Sequence, residues 1–165
     1  MNQPTVLLLK DLPEHQVKQL LDCYQIKLRQ VATNKKIPGS YWGDKEAGLV
    51  RNTLFARCDT PVHSILHESC HYICMDDQRR EQLDTDAGGS YNEENAVCYL
   101  QILLADRLPD MGKSRMIDDM DRWGYSFRLG SALQWFEQDA SDARLWLKQK
   151  NLINGLDQPN FQLNH

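Results

Sequence analysis

Nothing in this chain is apolar for long enough to cross a membrane. Runs such as VLLL at 6–9 and AVCYL at 96–100 fall far short of the roughly 20 residues that a bilayer core requires. Positive charge is not in excess either: 19 Lys and Arg stand against 23 Asp and Glu, with a formal net charge of -4 and a pI near 5.7. That balance argues against a nucleic-acid-binding surface. The first fifteen residues, MNQPTVLLLKDLPEH, lack the basic start and the long apolar run of a signal peptide. Five cysteines, an odd number scattered through apolar runs, make no disulfide framework and fit free thiols in a reducing compartment, so a cytoplasmic protein is expected. There is no repeat and no low-complexity tract. What remains is ordinary globular composition, 41% hydrophobic and 25% charged over 165 residues, enough for one domain with a real core.

Along the chain, the apolar run 5–10 (TVLLLK) predicts a buried strand. Asp11 can cap a helix with Pro13 in its first turn and Val17, Leu20, Leu21 and Tyr24 on its apolar stripe. Residues 26–31 (IKLRQV) alternate as a second strand, 34–48 reads as an irregular connection, and 49–58 (LVRNTLFARC) as a third strand. Thr60 then suits an N-cap, with Pro61 at the first helical position. Residues 76–89 are polar and end in Gly-Gly, so they should contain a helix end and a loop. A strong helix over 91–108 carries Ala96, Val97, Leu100, Leu103 and Leu104 on one face. Beyond Pro109, helices are predicted at about 114–123, 127–136 and 141–152, with Trp123, Leu133, Trp135 and Trp146 as packing residues and a loosely ordered tail from 154. The expectation is a single α+β domain over 1–165: a strand-rich part at 1–60 with its backing helix, central helices at 61–108, and a helical part at 109–153.

The chemistry lies at 67–71, HESCH. Residues four apart on a helix share a face, so His67 and His71 can grip one metal ion while Glu68 borders its open position. Neutral imidazoles suit zinc, and a catalytic zinc takes three protein ligands plus water. The third ligand is sought in 90–96 (SYNEENA). Glu93 is in register with Ala96, Val97 and Leu100, and a carboxylate aimed at a core demands a partner or a metal. Glu94 projects about 100° further round, beside Val97, Cys98 and Gln101. The competing reading of Glu93 is a capping box with Ser90. His63 lies about 12 Å along the axis from His71, too far to join both other histidines. Cys70 and Cys74 read as buried small hydrophobes.

HESCH, followed after a loop by Asn92-Glu93-x-x-Ala96, resembles the gluzincins, metallopeptidases whose zinc is held by two His and a downstream Glu. The likeness covers about 49–108 and is nearest to minimal, single-domain gluzincins. It implies a small zincin-like domain that hydrolyses peptide bonds, with His67, His71 and Glu93 as zinc ligands and Glu68 as general base. In several of these enzymes an Asp four residues after the Glu ligand supports a metal-binding His; here that position is Val97. The strand before the HESCH helix would hold an extended peptide substrate along its edge. Tyr125, Arg128 and Tyr99 are chemically suited to stabilise an oxyanion. The alternatives are a zincin of narrow regulatory substrate range and a partner-binding domain without catalysis.

Overall fold

The computed structural model describes residues 5–41 and 43–165. Helix α1 (Glu14–Asp22) buries Val17, Leu20 and Leu21 and packs against strand β1 (Lys27–Gln30). Residues 49–58, expected as one strand, form two, β2 (Gly48–Val50) and β3 (Thr53–Ala56), joined by a tight turn with Arg51 at φ 51. An Arg-Asn pair is a weak turn signal beside Asn-Gly, which is why the break was hidden. The sheet order is β1-β3-β2, with β1 parallel and β2 antiparallel to β3. Segment 5–10 is not a strand of this sheet. It makes an isolated bridge from Leu8 to Pro61, then a 3-10 turn at Leu9–Asp11. The amides of Leu9 and Lys10 donate to the carbonyls of Thr60 and Cys58, each at 2.9 Å.

Helix α2 (Val62–Cys74) follows, with Pro61 at the cap position and the Thr60 hydroxyl accepting from the Arg57 amide at 2.8 Å. Asp76 caps the short α3 (Asp77–Glu81), and Ser90 caps α4 (Tyr91–Ala105) by accepting from the Glu93 amide. Helix α5 (Gly112–Trp123) stops at Gly124, whose φ of 100 suits the left-handed cap. Part of 127–136 is a 3-10 turn at Arg128–Gly130, leaving α6 as Ala132–Gln138 before α7 (Ser141–Gln149). Helix α4 is the hub. It packs on α2, α5 and α7, and every residue from Ala96 to Ala105 is buried.

The tail is ordered rather than loose. Asn164 donates from its amide to the Ile73 carbonyl and from Nδ2 to the Cys74 carbonyl, satisfying the end of α2. The ring of Phe161 stands 5.7 Å from that of Tyr24 and lies under Arg107. Of the four C-terminal packing residues, Trp135 is buried and Trp146 half-buried, whereas Leu133 is 47% exposed and Trp123 lines a cavity. Among the described residues the architecture is α+β, seven α-helices with a three-stranded sheet, and no helix is long and apolar enough to cross a membrane.

Candidate metal centre

His67 and His71, one turn apart on α2, stand edge to face with ring centroids 4.8 Å apart. Glu94 meets both from α4. Its Oε1 lies 3.1 Å from His67 Nε2 and its Oε2 3.0 Å from His71 Nε2. Cys98, one turn beyond Glu94, completes a group with His67 and Glu94 in which one ligand atom from each lies within 4.8 Å of the others. Two imidazole nitrogens and a carboxylate are the donor set that zinc takes in a His₂Glu site. The residues present fit the metal.

Glu93 points elsewhere. It is buried, but its oxygens accept from Arg79 Nη1 at 2.7 Å and Nη2 at 2.8 Å, and the same Nη2 reaches the Ala87 carbonyl. Gly89, at φ 107, lets the loop press on this pair, since a Cβ there would collide with the Glu93 carboxylate. The structure therefore puts Glu94, not Glu93, against the histidines. Burial misled because α4 is covered on all sides, so its apolar stripe does not point to α2. The cation that a buried Glu93 requires comes from Arg79, distant in sequence. Only half of the capping box forms, since Ser90 accepts from Glu93 while the Glu93 side chain goes to Arg79.

Gln101 supplies what Val97 does not. This fully buried amide donates from Nε2 to the His63 carbonyl at 3.0 Å, so its Oε1 faces His67 Nδ1 at 2.9 Å. A backbone carbonyl only accepts, and this fixes which end of the amide faces the ring. The Oε1 atom then accepts the Nδ1 proton, so Nε2 is the nitrogen that faces Glu94 and the one that a metal would take. His63 itself is turned away from the pair, its Nδ1 3.1 Å from the Tyr125 hydroxyl and its Nε2 buried without a partner. Burial pulls its pKa down to about 3, so it is neutral.

Burial alone would lower the pKa of His67. Tyr125, Cys98 and Glu94 outweigh that and hold it well above the ordinary imidazole value. Burial raises Glu94, but hydrogen bonds from His67 and His71 prevail and push it well below the carboxylate range. Glu68 is raised by burial, more than the neighbouring histidines lower it. A half-buried carboxyl with an elevated pKa, beside a candidate metal and open to a cleft, is suited to carrying protons.

Two cavities meet at this wall. The smaller, about 260 Å³, is lined by His67, Glu68, His71 and Glu94 with Tyr41 and the 85–88 loop. The larger, about 590 Å³, shares His67, Glu68 and Glu94 and adds Glu46, Trp123, Tyr125 and Phe127. Trp123 donates from Nε1 to Glu46 Oε1 at 2.9 Å. Of the three oxyanion candidates, Tyr125 alone borders this site, with its ring centroid 5.6 Å from that of His67. Its hydroxyl is spent on His63 and Gln101, and burial pushes its pKa up to about 12. Tyr99 stacks on Phe136, and Arg128 pairs with Asp139.

The strand edge nearest α2 is not free for a peptide. Arg51 donates to the Leu83 carbonyl and Thr85 to that of Leu49, so segment 83–85 lies along β2 and continues into the cavity wall. Sequence reading missed Glu46 and Trp123 as parts of the site and placed Gln101 only as a neighbour of Glu94. The one signal available was that Gln101 and Cys98 fall in line with Glu94 on a helix. No protein-family model, no curated protein and no solved structure matches this chain, so the reading of its site rests on its own geometry.

Proposed function

We propose that this protein is a zinc-dependent hydrolase of peptide bonds, a small zincin-like domain of gluzincin type, with His67, His71 and Glu94 as metal ligands and Glu68 as general base. The observation that carries the reading is the convergence of both Nε2 atoms on the two oxygens of one carboxylate, with Glu68 on the same cleft. Zinc bound there would supply a Lewis acid for the scissile carbonyl and lower the pKa of a water. Glu68 accepts the proton of the attacking water and hands it to the leaving amine. Its raised pKa serves that transfer, since a carboxyl lifted above its ordinary range takes up the proton of the water more readily. Gln101 holds His67 in the tautomer that presents Nε2.

The covered edge of β2 favours a narrow, regulatory substrate over general proteolysis, since an extended peptide has to enter through the cleft instead of adding to the sheet. Five unpaired cysteines suit the reducing cytoplasm. The test is Glu68→Gln, loaded with zinc and assayed on a peptide library beside wild type. The variant is expected to keep one zinc per chain and to lose hydrolysis by on the order of 10² to 10⁴. Equal cleavage by both proteins removes Glu68 from the role of base, and a wild type that takes up no zinc ends the reading.

A further inference from the structure

Donors on the facing helices come as two pairs. His67 and His71 are four apart on α2, and Glu94 and Cys98 are four apart on α4, the helix packed against it. Residues so spaced sit one above the other, so the pairs face each other as two rungs. Cys98 is 6% exposed, yet it borders the larger cavity beside His67 and Glu94. Its sulfur lies with one ligand atom each of His67 and Glu94 in a group spanning no more than 4.8 Å, to which His71 is joined through Glu94 Oε2 at 3.0 Å. Cys70 and Cys74 differ: both are wholly buried in the core.

We propose that Cys98 is a fourth metal ligand in the resting protein, its thiolate filling the position that a catalytic zinc keeps for water until an entering peptide substrate displaces the sulfur. This rests on the reading of His67, His71 and Glu94 as ligands. Thiolate is a strong donor to zinc, and four protein donors make a closed site where three make an open one. Binding breaks the S–H bond, gives its proton to solvent and forms the metal–sulfur bond, with no change of oxidation state. Displacement reverses this, with the sulfur taking a proton from solvent and the vacated position opening to water.

The test uses the full chain loaded with cobalt(II) in place of zinc. Wild type should take up one cobalt and display a thiolate-to-cobalt charge-transfer band, lost in Cys98→Ser. Azide, a small external ligand, should leave the wild-type spectrum unchanged and perturb that of Cys98→Ser, where a position has opened. Should the variant fail to fold, wild type still decides. Its Cys98 should be shielded from iodoacetamide by the metal while exposed Cys23 reacts equally in both states. Stoichiometric cobalt without a sulfur band, azide binding to wild type, or metal-independent alkylation of Cys98 overturns this inference and leaves the hydrolase reading standing. A protein that takes up neither cobalt nor zinc overturns both.

Discussion

Gln101 Oε1 faces His67 Nδ1 at 2.9 Å, and the amide is locked in that sense by donating to the His63 carbonyl. Zinc-binding histidines commonly donate their second N–H to a carboxylate or carbonyl, and in the proposed site a neutral side-chain amide is placed for that task. Gln101→Leu removes the acceptor, frees the ring to turn and leaves the His63 carbonyl without its donor. Zinc affinity is expected to drop by roughly 10- to 100-fold, while Gln101→Glu, which keeps the acceptor, should bind at least as well as wild type. Chelator competition measures this. Wild-type affinity in Gln101→Leu means that His67 is oriented by its helix alone.

The neighbouring carboxylates should separate cleanly. Glu94→Ala removes the group on which both imidazoles converge and is expected to abolish stoichiometric zinc. Glu93→Ala should retain zinc but leave Arg79 half-buried without its carboxylate and loosen the Ala87 contact. Its cost is about 1–3 kcal/mol of stability, read as a lower Tm. Loss of zinc from Glu93→Ala with retention in Glu94→Ala reverses the assignment.

Zinc uptake should depend on pH in a direction set by His67. Burial alone would lower the pKa of its imidazole, but Tyr125, Cys98 and Glu94 hold it well above the ordinary value of 6.5, so its extra proton competes with metal to higher pH than in a free imidazole. In the metal-free protein a raised His pKa adds stability fully present below pH 6.5 and lost as pH rises through the folded value. The Tm gain on adding zinc should therefore keep growing above pH 6.5. A gain that is flat or shrinking from there upward contradicts a raised His67 pKa.

His63 sets an acid limit of the opposite sign. Burial holds its folded pKa at about 3 against 6.5 for the free side chain, so the unfolded chain binds the extra proton as pH falls between those values. Stability is complete above pH 6.5 and declines below it, by an amount on the order of 4–5 kcal/mol when pH 3 is reached. His63→Phe should flatten the denaturant-midpoint profile over this window. An unaltered acid limb would assign that loss to other groups.

Where a pattern was local, the sequence carried it. The alternation of 26–31 became β1, the apolar periods around 67–71 and 91–105 became α2 and α4, and Ser90 capped α4 as its position forecast. The four-residue spacing in HESCH placed both imidazoles on one side of one helix, because 3.6 residues per turn leaves no other arrangement. Element ends were less legible, since the Arg51 turn and the docked tail depend on partners far along the chain.

Tertiary packing decided between Glu93 and Glu94. Both begin a helix that is buried on every side from Ala96 onward, so apolar periodicity could not say which face meets α2. The choice fell to Arg79, a cation on α3 that takes Glu93 and turns Glu94 with Cys98 and Gln101 toward the histidines. An ion pair between residues 14 apart follows from how two helices and a loop come together, and no window of sequence contains that geometry. The sequence alone placed both imidazoles on one side of α2, and the packing of α2, α3 and α4 decided which carboxylate meets them.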